Sequence, residues 1–504
     1  MAAGMVSTGY RHLIQLGRMH PDSEVRKSAS MALIRWEPFL SRVDSVWLGS
    51  SVGRIPGALG GGSTSWLPSR LPQGTNRDPC SSPISASWFP DDAQLNRVSV
   101  QHPTATLDVI NRELALAHLE PWVWNQEFAG SSPTIGDLCT SVPVGTVSTG
   151  ALVSIVVPTY NSERYLDDTL RSLANQTWQN LQVIVVDDGS TDLSVDIAFE
   201  FARHDSRFVV LPLHSNGGAY AARNQGLKLA AGEFFTVQDS DDVAHCRRIE
   251  AQVKELVASS EAAACHHWHR RISDDLSSMS GPLRTFSSLM IRKAALERLG
   301  PWDEVRVGAD AEMFRRIRRC FGVQSIVSCF KDVALQLVRA TGTSATASGS
   351  RSLLSSRHGR GVRNYYSQVF RWWHENSHEP RVRNESRRAD FWVPESLKCD
   401  EPNGALAARV LVVADLSSMD SVEKARVLSE TNRSKGHTVA LLHNPQYLVS
   451  DLNELDPTLW DLLSEGGVQL LTVGDRVRVS ELKVLDRQDP GKHLDAGPSV
   501  TALE

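Results

Sequence analysis

Residues 151–190, ALVSIVVPTYNSERYLDDTLRSLANQTWQNLQVIVVDDGS, decide the fold class. Two of their segments, 151–158 and 181–186, are nearly continuous runs of apolar and mostly β-branched residues. Such runs are typical of strands buried on both faces of a parallel sheet. Between them, residues 162–176 carry apolar side chains at helical spacing. Strand, helix and strand in this order predict an α/β fold with a parallel sheet and right-handed crossovers.

The same alternation continues downstream. It predicts helices at 193–205 and 217–232 and strands at 207–213 and 233–239. In parallel sheets, ligands bind beyond the carboxyl ends of the strands. Three polar clusters follow strand ends and are therefore expected to share one edge: PTYNS at 158–162, DDGSTD at 187–192 and DSDD at 239–242.

The last of these clusters holds three carboxylates, Asp239, Asp241 and Asp242, within four positions. Like charges this close repel each other, so a cation or water has to surround them. Carboxylate oxygens favour Mg²⁺ or Mn²⁺, and such ions usually share their coordination shell with phosphate oxygens. The cluster therefore predicts a metal site for a diphosphate ligand, and the alternative is a solvated acidic loop.

The other two strand ends offer groups for the rest of such a ligand. Pro158 and Tyr160 close the first strand, where an aromatic ring can cover a flat base. Asp187 and Asp188 end the second strand, and one of them can accept a hydrogen bond from a base or ribose. Arg223 can help to hold phosphates, although it is equally consistent with a surface residue or a buried partner of Asp239.

This series of motifs resembles the family-2 glycosyltransferases of the glycosyltransferase-A fold, over about residues 151–330. The resemblance implies a nucleoside-diphosphate sugar and a divalent metal at the shared edge. Pro158, Tyr160 and Asp188 would then contact the base and ribose. Asp239 and Asp241 would form the family's D-x-D pair, and Asp242 would lie beside them at the metal and diphosphate.

The stretch GPWDEVRVGADAEMFRRIRRCFG, residues 300–322, resembles the family segment that holds the general base. By this resemblance Asp310 takes the position of the base, and Glu312 is the later acid, on the donor side. Ala309 departs from the family, which usually has Glu there. The structural alternative for Asp310 is an acid at a helix N-terminus, which the helix dipole favours.

The remainder of the chain divides by composition. We expect an N-terminal helical and low-complexity region at 1–150, a catalytic domain at 151–345, a helical linker at 346–404 and a partial Rossmann-like α/β domain at 405–504. The last region contains about three strand–helix units before its sequence becomes polar. The histidine-rich stretch CHHWHRR has no second ligand pair at a structural-zinc spacing, so we interpret it as a strand or as part of the acceptor pocket.

Composition excludes several classes of protein. The 504 residues carry a net charge of −5, which argues against wholesale nucleic-acid binding. No apolar run is long enough to cross a bilayer, so membrane contact is expected to be peripheral at most. Seven scattered cysteines without a CxxC pair favour a reducing compartment, and we expect a cytoplasmic location.

The sequence thus predicts an inverting glycosyltransferase that moves a sugar from a nucleoside-diphosphate sugar to the hydroxyl of a glycan or other acceptor. Its pathway would be polysaccharide or surface glycan synthesis, by the same resemblance. One alternative is a degenerate module that binds a sugar nucleotide without catalysis. A nucleotidyltransferase is a second alternative, but it would need a Gly-rich loop bearing Lys or Arg after the first strand.

Overall fold

The computed structural model describes residues 98–99, 103–125, 133–141, 145–340, 362–383, 391–399, 406–443, 454–472, 475–485 and 499–502. All of them belong to the second of two compact units, 77–504. Residues 1–97 of the predicted N-terminal helical and low-complexity region, and the start of the predicted helical linker up to residue 361, therefore lie outside the described residues.

The described residues form eighteen strands and ten helices. The strands are β1 (Val98–Ser99), β2 (Trp122–Trp124), β3 (Leu138–Thr140), β4 (Val153–Thr159), β5 (Leu181–Asp187), β6 (Phe208–Pro212), β7 (Phe234–Val237), β8 (Val243–Ala244), β9 (Ala264–Ile272), β10 (Ser278–Met279), β11 (Leu283–Arg292), β12 (Ile326–Ser328), β13 (Ala334–Arg339), β14 (Leu406–Ala414), β15 (Val439–His443), β16 (Val468–Leu470), β17 (Arg476–Val484) and β18 (Ser499–Ala502). The helices are α1 (Pro103–Leu116), α2 (Leu166–Ala174), α3 (Ser194–His204), α4 (Ala219–Leu229), α5 (Arg248–Ala258), α6 (Lys293–Leu299), α7 (Ala309–Phe321), α8 (Val362–Asn376), α9 (Met419–Arg433) and α10 (Thr458–Ser464).

The large sheet is built on four parallel strands in the order β6-β5-β4-β7. Alternate residues of β4 enter different cores, since Ile155 and Val157 pack on one face and Val156 packs on the other. Strands covered on both faces need apolar residues at consecutive positions, which explains the nearly continuous runs in the sequence. The predicted α/β fold class is confirmed.

Antiparallel strands extend the sheet beyond β7. Strand β11 pairs with β7, and β9 pairs with β11 on one side and with the parallel strands β12 and β13 on the other. The stretch CHHWHRR lies in β9, as interpreted from the sequence, and its three histidines are buried. Burial lowers the pKa of His266 to about 4 and that of His269 to about 3, so both rings are neutral.

Helix α4 packs against the sheet through a glycine. A Cβ at Gly226 would lie 2.6 Å from Cγ1 of Val156 and 3.1 Å from Cγ2 of Val186, so no larger residue fits without moving the helix. Arg223 lies one turn earlier on the same face of the helix. The close approach therefore brings Arg223 to the sheet.

The C-terminal region forms a second, fully parallel sheet with the order β16-β15-β14-β17-β18. The sequence predicted about three strands here, and the structure adds β17 and β18. The strand order reverses beside β14, as in doubly wound nucleotide-binding folds. Helix α8 shares one apolar cluster with both sheets, which includes Val156 of β4, Phe370 of α8 and Val412 of β14.

None of the helices in the described part of the chain combines the length and the apolar character that crossing a membrane requires.

Candidate functional site

The turns that follow the parallel strands are hydrogen-bonded to one another. Asn161, in a left-handed conformation with φ of 47°, donates its N–H to Oγ of Ser190 at 2.9 Å. Its Oδ1 accepts the N–H of Thr191 at 2.9 Å. The hydroxyls of Ser162 and Ser240 lie 2.8 Å apart. The three polar clusters predicted to share one edge of the sheet therefore do so.

A buried arginine links the acidic cluster to the candidate base. Arg223 donates from Nη2 to Oδ1 of Asp239 at 2.7 Å and from Nη1 to Oδ1 of Asp310 at 2.8 Å. Its side chain is 4% exposed, whereas that of Asp239 is 40% exposed. Burial opposes the charge, but the two carboxylates hold the pKa of Arg223 above its usual range. The structure shows that Arg223 is a buried partner of Asp239 and not a surface residue, and its contact with phosphates stays a prediction.

The candidate base is held by three side chains. Besides the bond from Arg223, Asp310 accepts from the hydroxyl of Tyr220 at 3.1 Å and from Nε1 of Trp302 at 3.3 Å. It lies in the first turn of α7, which begins after Gly308 in a left-handed conformation with φ of 99°. Its side chain is 17% exposed, so a small group can still reach it. The carboxylate is thereby oriented before any ligand binds.

The other two aspartates of DSDD have different surroundings. The carboxylate of Asp242 is buried and accepts a hydrogen bond from Nε2 of Gln336 at 2.7 Å. Burial, followed by the charges of Asp241 and Asp239, raises the pKa of Asp242 well above its usual range. Arg339 donates to the backbone carbonyl of Asp241 at 2.7 Å. Two side chains of strand β13, Gln336 and Arg339, thus hold the DSDD turn by hydrogen bonds.

The second strand ends in two carboxylates with unequal partners. Asp188 accepts from the backbone N–H groups of Gly217 at 2.9 Å and Gly218 at 2.8 Å. Burial raises the pKa of Asp188 to about 6, although these two bonds oppose the shift. Asp187 accepts the N–H of Ser190 at 3.1 Å with Oδ2, but its Oδ1 is buried without a hydrogen-bond partner among the described residues.

Pro158 and Tyr160 lie where the first strand reaches the edge. Pro158 is the penultimate residue of β4, opposite Val186. Tyr160 follows the strand and is 42% exposed. A large aromatic ring left in solvent at this edge is free to cover a flat ligand.

Glu312 lies in the interior of the protein. It accepts two hydrogen bonds from Arg316, at 2.9 and 2.7 Å, and one from Nε2 of His374 at 2.9 Å. Burial favours the protonated acid, but Arg316 and His374 hold the pKa of Glu312 below its usual range. These contacts tie α7 to α8. They lend no support to a donor contact, which stays a prediction.

One cluster of potential metal ligands was not foreseen from the sequence. Among the residues that the structure describes, only Glu120, His245 and Cys246 bring three such atoms within 4.8 Å of one another. Nδ1 of His245 accepts the N–H of Arg247, and the Arg247 guanidinium pairs with the carboxylate of Glu120. The potential ligand atoms of His245 and Glu120 already accept hydrogen bonds from Arg247. The cluster is therefore better explained as a structural hydrogen-bond network.

The acidic turn suits a metal that shares its coordination with a ligand. Asp239 and Asp241 offer hard oxygens, but no third carboxylate converges with them at ligand distance in the described residues. Mg²⁺ and Mn²⁺ sites of this kind complete their shell with substrate phosphates and water. The residues present therefore fit such an ion, which Asp239 and Asp241 would hold, and a metal contact of the buried Asp242 stays a prediction.

Residues 154–319 match the model of glycosyl transferase family 2. Among curated proteins, the chain is 42% identical over 105 residues to glycosyltransferase GlyG of Streptococcus pneumoniae, which covers 21% of this chain and 35% of GlyG. It is 36% identical over 109 residues to the UDP-Glc:alpha-D-GlcNAc-diphosphoundecaprenol beta-1,3-glucosyltransferase WfgD of Escherichia coli, covering 22% and 42%. The chain thus spans less than half the length of either relative.

Solved structures give lower similarity. TarS of S. aureus in complex with UDP-GlcNAc is 22% identical, with a TM-score of 0.34 over 39% of this chain and 61% of that one. The mannosyltransferase PcManGT of Pyrobaculum calidifontis in complex with GDP-Man and Mn²⁺ is 16% identical, with a TM-score of 0.34 over 55% and 74%. The match to the family model confirms the resemblance found in the sequence for residues 154–319, about a third of the chain.

Proposed function

We propose that this domain is an inverting glycosyltransferase, which moves a sugar from a nucleoside-diphosphate sugar to an acceptor hydroxyl. The observation that carries the proposal is the bridge from Asp239 through Arg223 to Asp310. Inverting transfer of a sugar needs a general base beside the acceptor hydroxyl and a site for the diphosphate of the donor. The two must be close enough for a single sugar ring to lie between them. A single buried guanidinium spans the two carboxylates proposed for these tasks.

In the proposed reaction, Asp310 takes the proton of the acceptor hydroxyl as its oxygen attacks the anomeric carbon. The bond from that carbon to the diphosphate breaks, and the nucleoside diphosphate leaves. Hydrogen bonds from Tyr220, Trp302 and Arg223 would keep the carboxylate of Asp310 oriented during the approach of the acceptor. Mg²⁺ or Mn²⁺ held by Asp239 and Asp241 would neutralise charge on the leaving diphosphate when bound.

The donor's nucleoside is assigned to the other strand ends. Tyr160 and Pro158 would cover the base, and Asp188 would accept from the base or ribose. The name of WfgD, which specifies UDP-Glc and a diphosphoundecaprenol-linked acceptor, supports a nucleotide-sugar donor and a role in polysaccharide or surface glycan synthesis. An acceptor of that kind would be met by peripheral contact at the cytoplasmic face of a membrane.

The alternative is a module that binds a sugar nucleotide without transferring the sugar. Ala309 favours it, because this residue replaces the family's usual Glu and is fully buried. A module of this kind would bind the nucleotide and metal but would produce no glycoside and no free nucleoside diphosphate with any acceptor. Release of nucleoside diphosphate from a sugar nucleotide therefore separates the two functions.

The first test is calorimetric titration with UDP, GDP and dTDP, with and without Mn²⁺. We expect one nucleotide to bind only when the metal is present. Asp241→Ala should weaken the binding of that nucleotide by about 100-fold or more, because a metal ligand is lost. Asp241→Asn keeps the shape of the side chain and guards against misfolding of the alanine variant. The matched control is Asp167→Ala, which removes an exposed acid that pairs with Arg171.

Binding of no diphosphate under any condition would contradict the donor site. Metal-dependent binding that both Asp241 variants retain would instead remove Asp241 from the metal site.

Acid should weaken nucleotide binding through Asp188. Its carboxylate form accepts hydrogen bonds, and its pKa of about 6 means that the form present above pH 6 is lost as the pH falls. We expect the affinity to drop about tenfold from about pH 7 to about pH 5, in proportion to the ionised fraction. The diphosphate itself also titrates in this range, so the informative quantity is the difference between wild type and Asp188→Asn. Equal pH profiles in the two proteins would show that Asp188 does not contact the nucleotide.

A further inference from the structure

Residues 391–399 run beside the segment that leads to the candidate base, although they lie outside the family match. Val305 and Lys398 form an antiparallel bridge. Arg306 donates its N–H to the carbonyl of Leu397 at 2.8 Å and its Nε to the carbonyl of Lys398 at 3.0 Å. The 391–399 segment is therefore fixed to the loop between Trp302 and α7 by backbone hydrogen bonds.

The end of this segment reaches the strand edge. Sγ of Cys399 lies 3.1 Å from the position that a Cβ on Gly218 would occupy. Gly218 is the residue whose N–H caps Asp188 at 2.8 Å. Cys399 is partly buried, and burial raises its pKa to about 11, with Asp188 among the carboxylates that contribute. The thiol is thus a neighbour of the carboxylate proposed to bind the nucleoside.

One further feature of this edge points to a ligand. Oδ1 of Asp187, next to Asp188, is buried and has no hydrogen-bond partner among the described residues. Such an acceptor costs stability unless something binds it, and water or a ligand donor is the ordinary solution.

We infer that the 391–399 segment forms the wall of the donor site at its nucleoside end, with Cys399 in contact with the bound nucleoside. The inference deepens the proposed function and rests on it. A bound base or ribose would then lie against Cys399 on this segment, close to Gly218 and Asp188. The site would be incomplete in the family-matched residues alone.

Residues of the C-terminal α/β region that lie outside its strands contact this wall. Oγ of Ser396 lies 3.0 Å from Oγ1 of Thr472, and the ring of Trp392 stacks on that of Trp460 with centroids 6.0 Å apart. Residues of the second α/β region therefore support the nucleoside end of the donor site from behind.

The test is protection of Cys399 from a small, uncharged thiol reagent. The full-length protein is treated with N-ethylmaleimide at about pH 8.5, with and without saturating UDP or GDP and Mn²⁺, and each cysteine is quantified by peptide mass spectrometry. We expect the nucleotide to slow modification of Cys399 by about tenfold or more, because the thiol must be open to react. Cys320 of α7, also partly buried, is the internal control and should react at the same rate in both samples.

A second variant keeps the inference testable if Cys399 reacts too slowly. Cys399→Trp should weaken nucleotide binding by about tenfold or more by filling the site, whereas Asp167→Ala, which removes an exposed acid outside the site, should bind the nucleotide as wild type does. Unchanged thermal melting of Cys399→Trp would exclude misfolding as the cause. Nucleotide binding by calorimetry without protection, and without an effect of the Trp variant, would overturn this inference alone. Failure of the wild type to bind any nucleotide would overturn the proposed function, and this inference with it.

Discussion

Asp310→Asn is expected to lower kcat by about 10²–10⁴-fold, because the variant has no base to take the acceptor proton. The amide has the size of the carboxylate and can still accept from Arg223 with its oxygen. Binding of the nucleoside diphosphate, which depends on the opposite end of the bridge, should stay within about threefold of wild type. The loss would therefore appear in the chemical step and not in donor affinity.

The measurement is the initial rate of nucleoside diphosphate release at saturating sugar nucleotide, whose base the nucleotide titration selects. Asp167→Asn is the matched control, since it neutralises an exposed helix acid with a single ion pair. A kcat for Asp310→Asn within about threefold of wild type would exclude Asp310 as the general base, given the size of such effects.

Arg223→Met is expected to destabilise the protein by about 3–5 kcal/mol, because it leaves two carboxylates close together without their cation. The side chain of Arg223 is 4% exposed, so water cannot readily replace it. Methionine keeps most of the apolar contact of the arginine stem, so the loss reports chiefly on charge. This is the largest effect on stability that we expect from a single substitution at the site.

The readout is the free energy of unfolding from a denaturant titration. Arg171→Met is the control, since its ion pair with Asp167 is largely exposed and should contribute about 1 kcal/mol or less. Adding Asp310→Asn to Arg223→Met should recover part of the lost stability, because it removes one of the unpaired charges. Equal losses in the free energy of unfolding for Arg223→Met and Arg171→Met would mean that Arg223 does not stabilise the protein by pairing with Asp239 and Asp310.

The sequence predicts the polar edge of the sheet well because each parallel strand is a nearly continuous apolar run in the sequence. Strands such as β4 and β5 are buried on both faces, and their polar turns follow directly in the chain. The sequence singled out Arg223 as a site residue but could not identify its ion pair with Asp310, because Asp310 is 87 residues away in the chain. Helix spacing cannot show that the two meet, whereas the close packing of α4 on the sheet does.

Other elements escaped prediction for physical reasons. Strand β17 alternates buried Val477 and Val479 with exposed Arg478, so it lacks the continuous apolar run expected of a parallel strand. The sequence also suggested a donor-side place for Glu312, but could not show its pairing with His374 of α8, 62 residues downstream. The position of β17 and the pairing of Glu312 both depend on contacts with elements that are distant in the chain, which a local sequence pattern cannot show.

The apolar cluster shared by the large sheet, α8 and the C-terminal sheet has a consequence for how the chain can be divided. Phe314 and Ile317 of α7 lie inside the family match, but they belong to the same cluster as Tyr366 and Phe370 of α8. A fragment ending at residue 319 would leave that face of α7 in water, where exposed apolar patches promote aggregation. Exchange of the family-matched residues 154–319 between relatives would therefore have to include helix α8.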